Sequence, residues 1–124
     1  MGPLAHLRIA VIGAGIIGAA IADALTARGA RVSMYDRRSP GAGASQASAG
    51  VLCPYTEGSP GSPLLALGAR SLAMWEGWVE RLRAKTAVPF AYDRCGTLEI
   101  ALSTDEVAHL RSARDWLAAE GIGH

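Results

Sequence analysis

The sequence offers a partner almost no net charge. Twelve Lys and Arg stand against eleven Asp and Glu, a formal charge of +1 over 124 residues, and Arg37-Arg38 is the only adjacent basic pair. Nucleic-acid binding therefore has no electrostatic footprint. Cysteine is scarce as well. Cys53 and Cys95 make neither a CxxC nor a metal-ligand spacing, so no metal site is expected, and two thiols suit a reducing cytoplasm. No long hydrophobic run is present in the first half: the uncharged apolar stretch 9–22 has 14 residues, short of the ~20 that span a bilayer. There is no internal repeat and no G-X-Y period despite 15 glycines, which excludes collagen. What remains, half hydrophobic and 19% charged, is a chain able to form one small domain with a core.

"LRIAVIG", residues 7–13, is aliphatic on both faces and reads as a buried parallel strand. Residues 16–28 read as a helix closed by Gly29, and "ARVSMYD", residues 30–36, as a second strand. Together they make a βαβ unit. "RRSPGAGASQASAG", residues 37–50, is small and polar, the composition of a loop or linker. Ser62-Pro63 is an N-cap followed by a first helical residue, and a helix is expected from there to about Lys85. Its apolar stripe is Leu64, Leu67, Leu72, Trp75, Val79 and Leu82, with Trp78 beside it. "GTLEIALS", residues 96–103, alternates and reads as a half-buried antiparallel strand. Ser103 with Glu106 forms a capping box for a helix to about Glu120 that buries Val107, Leu110, Ala113 and Leu117.

Three glycines stand out at the first strand–helix junction. Gly13-Ala14-Gly15-Ile16-Ile17-Gly18 fits G-x-G-x-x-G in the context that gives the pattern meaning, after a strand and opening a helix. Gly13 permits the tight turn, Gly15 lets a pyrophosphate approach the backbone, and Gly18 lets helix and strand pack closely. The free N–H groups at the helix start then meet the phosphates without any basic side chain. Asp36 ends the second strand, where an acid accepts hydrogen bonds from ribose hydroxyls and repels a 2′-phosphate; Arg37 and Arg38 blunt that repulsion. Arg8 before the apolar run and "ADA" after it mimic a secretion signal. Cleavage there would leave the second strand without a partner, so the dinucleotide reading is preferred.

The glycine motif alone does not separate NAD from FAD. The loop that follows Asp36 adds to it. With "VIGAGIIGAAIADAL", "YDR", "GASQASAGVL", "SPLLALGARSLAMW" and "GTLEIAL" in this order, the chain resembles the N-terminal portion of the FAD-dependent D-amino acid oxidase superfamily. Its glycine oxidase and sarcosine oxidase branch, which includes the thiamine-pathway glycine oxidases, is the most similar. The resemblance implies an α/β fold: a Rossmann-like FAD-binding βαβ unit with a parallel sheet, then a long helix and the start of an antiparallel α+β substrate domain. Residues 1–87 would belong to the FAD-binding domain and 88–124 to the substrate domain. Gly13, Gly15, Ile16, Ile17 and Gly18 would hold the pyrophosphate, and Asp36 and Arg37 would flank the adenosine ribose. Ala44, Ser45 and Gln46 would line the phosphate and ribityl side, and Ala49, Gly50 and Val51 would bring backbone close to the flavin ring.

Two positions depart from the family. Asp36 stands where Glu is frequent, and it keeps both acceptor oxygens. Ala47 falls where some relatives attach FAD through a histidine, so the FAD is expected to be non-covalent. The reaction implied is oxidation of a small amine or amino acid, with the α-hydrogen leaving as hydride to the flavin. The imine product hydrolyses, and electrons pass to O₂ or to a quinone or carrier. Peripheral membrane contact is expected only for a dehydrogenase of that second kind. A non-catalytic nucleotide-binding redox module and a fragment of an NAD-dependent dehydrogenase are the rival readings. No catalytic residue can be assigned. The substrate clamp of the family lies later than residue 124, which implies an N-terminal piece, a truncated frame or a split-enzyme subunit, inactive alone. Cys53 and Cys95 are expected as buried structural thiols. Trp75, Trp78 and Trp116 are expected in helix packing, and His6, His109 and His124 have no partners in motif spacing.

Overall fold

The computed structural model describes residues 2–123. His124 therefore lies outside the described residues. The chain divides after Val51 into two compact units, 1–51 and 52–124.

In the first unit β1 (Arg8–Ile12) and β2 (Arg31–Tyr35) pair in parallel, with Arg8 opposite Arg31 and Ile12 opposite Tyr35. The ladder extends one bond at each end: the Arg31 N–H donates to Leu7 O at 3.0 Å and the Gly13 N–H to Tyr35 O at 2.8 Å. The crossover is α1 (Ile16–Ala27). It stops at Gly29, whose φ of 95° is a left-handed conformation that favours glycine. This is the α/β, Rossmann-like βαβ unit that the strand–helix–strand pattern predicts.

The covering of β1 differs from the expectation. Ile9 and Val11 are half-buried, whereas Ile12 on the other face is 82% exposed. Alternation puts Ile9 and Val11 on one face, and α1 lies on that face, with Gly18 close against Val11. Among the described residues of this unit, Arg8, Ala10 and Ile12 on the other face are exposed, so an aliphatic strand is here covered on one side only. The second surprise is local. Residues 37–50 are not a featureless linker but hold the single helical turn α2 (Ala44–Ala47).

The second unit is helical. A short turn that sequence patterning does not predict, α3 (Pro54–Glu57), precedes the long α4 (Pro63–Lys85). The N-cap of α4 is as expected: Ser62 Oγ accepts from the Leu64 N–H at 3.2 Å, with Pro63 in the first turn. Its covered stripe keeps the expected Leu72, Trp75, Val79 and Leu82 and is rotated only in the first turns. Leu64 and Leu67 are exposed, and the covered side runs through Leu65, Gly68, Leu72, Trp75, Val79 and Leu82. Gly68 explains the rotation. A Cβ there would sit 2.9 Å from Pro54 Cβ, so the missing side chain admits α3. Trp75 meets Trp78 edge-on at 4.9 Å and stacks with Tyr92 at 6.3 Å, which gives Tyr92 the partner its sequence position does not suggest.

Residues 96–103 form no strand. A strand exists through its hydrogen-bonded neighbour, and among the described residues this segment has no ladder partner; Leu98 is 89% exposed. α5 (Thr104–Ala119) keeps the predicted capping box. Ser103 Oγ accepts from the Glu106 N–H at 3.3 Å, and Glu106 Oε2 accepts from the Leu102 and Ser103 N–H groups at 2.6 and 3.1 Å. Its apolar side is only half-covered, and Val107 is exposed. With so little tertiary burial, the cap carries an unusual share of the stability of α5. Ser103→Ala is expected to lose about 1 kcal/mol of helix stability, read as faster amide exchange in the first turn of α5. Unchanged exchange there would show the cap to be idle. Cys53 is half-buried and Cys95 exposed, so neither is a buried core thiol, and both are unpaired.

Candidate dinucleotide cradle

The backbone leaves β1 at Gly13 with φ of 104°, a left-handed conformation open mainly to glycine. Gly15, the N-cap of α1, has φ of −77° and ψ of −177°, which any residue adopts. Gly18 is the third residue of α1, where a Cβ would run into the Gly13 carbonyl and come within 3.4 Å of Val11 Cγ1. The three glycines thus answer to three different demands: conformation at Gly13, packing at Gly18, and space above the backbone at Gly15.

The start of α1 carries donors that the helix cannot satisfy itself. The Ile16 N–H donates to Ser45 Oγ at 2.9 Å. The N–H groups of Gly15, Ile17 and Gly18 donate to nothing among the described residues. Ile16 and Ile17 are exposed, no acidic side chain lies in the first turn, and the helix dipole is positive at this end. Such a site accepts anions through backbone alone.

Asp36 stands just beyond β2 and is joined to the glycine loop. Its Oδ2 accepts from the Ala14 N–H at 2.8 Å and its Oδ1 from the Arg38 N–H at 2.9 Å. The Ala14 bond first, then the Arg38 bond, hold its carboxyl below the ordinary value, with the nearby Arg38 charge and the Arg37 N–H adding to them and partial desolvation opposing. Each oxygen keeps further lone-pair capacity for a ribose hydroxyl.

The second loop folds back onto the first. The Gly41 N–H donates to Ala14 O at 2.9 Å, and α2 delivers Ser45 to the start of α1. The structure therefore brings together Gly13, Gly15, Ile16, Ile17, Gly18, Asp36 and Ser45. Arg37 follows Asp36 with its side chain exposed, and Ala44 and Gln46 flank Ser45 with exposed side chains. Ala49, Gly50 and Val51 are exposed, and the Gly50 N–H donates locally to Ser48 Oγ at 3.0 Å. Two residues at the centre of the arrangement carry no motif letter. Ala14, buried, is held on both sides of its backbone, and Gly41, with φ of 78°, turns the chain back towards it. A glycine opening a small-residue loop is the available sequence signal for Gly41; Ala14 has none beyond its place between two glycines.

Open hollows of about 200 Å³ lie beside Tyr55, Leu72 and Tyr92 and beside Cys53, Gly68 and Trp75, and neither includes a residue of the cradle. Among the described residues no three His, Cys, Asp or Glu side chains stand together to hold a metal ion, and no helix is long and apolar enough to cross a membrane.

Comparison with known proteins gives the same direction. The sequence model of the family described as FAD dependent oxidoreductase (DAO) matches residues 8–124. A glycine oxidase of Geobacillus kaustophilus is 35% identical over 115 residues, 93% of this chain and 30% of that protein. The tRNA 5-methylaminomethyl-2-thiouridine biosynthesis bifunctional protein MnmC of an Azoarcus species is 36% identical over 92% of this chain and 18% of its own length. A bifunctional protein ThiO/ThiG of Trichormus variabilis is 37% identical over 73% of this chain and 14% of its own length. The chain thus spans less than a third of each of these three relatives. No solved structure gives a significant match.

Proposed function

Because the chain belongs to the FAD dependent oxidoreductase (DAO) family, we propose that its two loops form the adenosine–pyrophosphate side of an FAD site, in an enzyme that oxidises a small amine or amino acid. The observation that carries this reading is the set of Gly15, Ile17 and Gly18 N–H groups at the helix start that donate to nothing among the described residues. A pyrophosphate is the group such a cradle fits. Gly13, Gly15, Ile16, Ile17 and Gly18 would hold it. Asp36 and Arg37 would flank the ribose, with the Asp36 carboxylate already oriented by Ala14 and Arg38. Ala44, Ser45 and Gln46 would lie along the phosphate and ribityl side, and Ala49, Gly50 and Val51 near the ring. Bound FAD would supply a hydride acceptor, the chemistry that no protein side chain provides.

A small amino acid of the glycine, sarcosine or D-amino acid type is the substrate class proposed, with glycine supported by the relatives named glycine oxidase. O₂ is the acceptor proposed, supported by the relatives named glycine oxidase, with a quinone or electron carrier as the alternative. A cytoplasmic location is proposed with it, supported by the two unpaired thiols. Residues 1–87 would belong to the FAD-binding domain and 88–124 to the start of the substrate domain, a reading supported by the end of α4 at Lys85. The chain alone is proposed to lack turnover.

Titration of the chain with FAD tests the reading. Quenching of flavin fluorescence on binding is expected, with all flavin released on unfolding because Ala47 offers no attachment atom. Protection of the chain by NAD with no response to FAD would overturn it. Amine-dependent peroxide formation by the chain itself would overturn the proposed lack of turnover.

A further inference from the structure

We infer that Ser45 is a positioning residue that latches the second loop onto the start of α1, and that a side chain at position 15 strains this latch as well as crowding any ligand. The usual ground for a glycine here is left-handed backbone or the approach of a phosphate. Backbone conformation is excluded at Gly15 by its φ of −77°. Space decides instead, and the space is filled by protein: a Cβ on Gly15 would lie 3.0 Å from Ser45 Oγ, with no other heavy atom within 4 Å among its non-neighbours. That separation is closer than carbon and oxygen tolerate at rest, so the hydroxyl would have to give. It cannot give freely, because the same oxygen accepts the Ile16 N–H at 2.9 Å. A side chain at position 15 therefore acts on the Ile16–Ser45 hydrogen bond, and through it on α2 and the loop that α2 anchors.

The latch has a chemical consequence for the cradle. Ile16 is the first residue of α1, and its N–H would otherwise face solvent or an anion. With Ser45 Oγ as acceptor, that donor is spent on a neutral group. The anion is left to the Gly15, Ile17 and Gly18 N–H groups, while Gly41 N–H to Ala14 O supplies the second clip between the loops. Ser45 thus fixes which donors remain and where the second loop stands relative to them.

The inference predicts a coupling between two positions 30 apart in sequence. In the full 124-residue chain, Gly15→Ala and Ser45→Ala are made singly and together, with Ser45→Thr as the variant that keeps the hydroxyl. Hydrogen exchange without cofactor is the first readout. In the unaltered chain the Ile16 amide exchanges about fivefold more slowly than the Ile17 amide, the equivalent of one ordinary hydrogen bond. Ser45→Ala and Gly15→Ala each abolish that difference, and Ser45→Thr keeps it. Flavin titration is the second. Gly15→Ala weakens FAD binding in the Ser45 background by about fivefold more than it does in the Ser45→Ala background. Equal exchange of the Ile16 and Ile17 amides in the unaltered chain overturns the latch, whether or not any variant folds. Strictly multiplicative losses in FAD affinity overturn the coupling. The FAD readout rests on the function proposed above, but the exchange readout does not, so a chain that ignores FAD and still protects Ile16 would refute the function and leave the latch standing.

Discussion

Gly18→Ala is expected to destabilise the first unit by about 2 kcal/mol and to abolish measurable FAD binding. Two effects oppose each other. Helix propensity favours alanine over glycine by up to ~1 kcal/mol within a helix. Against it, the new Cβ would overlap the Gly13 carbonyl and press on Val11 Cγ1 at 3.4 Å. The Gly13 oxygen shares its peptide plane with the Ala14 N–H, which donates to Asp36 Oδ2 at 2.8 Å, so rotating it aside would break that bond. Relief requires α1 to move off the sheet, which opens the cradle. Overpacking of this kind costs roughly 1–3 kcal/mol or more, and it wins. Gly77→Ala in α4 is the control: its Cβ would meet only Arg81 Nη1 at an ordinary 3.6 Å, so propensity is unopposed and a gain of up to ~1 kcal/mol is expected. Denaturant melts and amide exchange of α1 read both. A Gly18→Ala chain as stable as the parent would show that α1 does not depend on this close approach.

How much of this was legible beforehand depended on how local the cause is. The βαβ unit follows from short-range signals: an aliphatic run, a glycine turn, a helix closed by Gly29, a second run. The caps of α4 and α5 also follow, because Ser62-Pro63 and Ser103 with Glu106 act within four residues. The covered stripe of α4 was legible over Leu72, Trp75, Val79 and Leu82, but not at its start, which is set by Pro54 seated at Gly68. The alternating segment 96–103 shows the same limit. Alternation describes a face that could be buried, but strand formation needs a neighbour. In the cradle the glycines and Asp36 can be read from spacing. The bond from Ile16 to Ser45 spans 29 positions and leaves no trace in any motif. Asp36 was readable as a ribose ligand, whereas its bond to Ala14 was not.

That bond gives Asp36 a second task, and a large, measurable loss of FAD affinity is expected from removing it. Asp36→Ala deletes the acceptor for the Ala14 and Arg38 N–H groups and the proposed acceptor for ribose at once. A weakening of about a hundredfold is expected, since charge-assisted bonds exceed neutral ones in strength. Asp36→Asn separates the two tasks. Its amide oxygen can keep the Ala14 bond, but the charge and the second acceptor are lost, so a smaller loss of about tenfold is expected. The pH dependence follows from the same contacts. The folded carboxyl is held below the ordinary value of 3.8, chiefly by the Ala14 N–H and then by the Arg38 N–H. A depressed folded pKa means that the ionised form is the stabilising one. Its contribution is complete above the unfolded value and disappears as pH falls through the folded one. Because Asp36 is exposed, solvent screens the effect, and the hold on the glycine loop is constant from pH 5 to pH 8, lapsing only below about 3.8. Carboxyl-carbon NMR titration of Asp36, followed together with amide exchange at Ala14, reads both events. A titration midpoint at or above the ordinary value, or Ala14 exchange indifferent to Asp36→Ala, would refute the fastening of the cradle by Asp36.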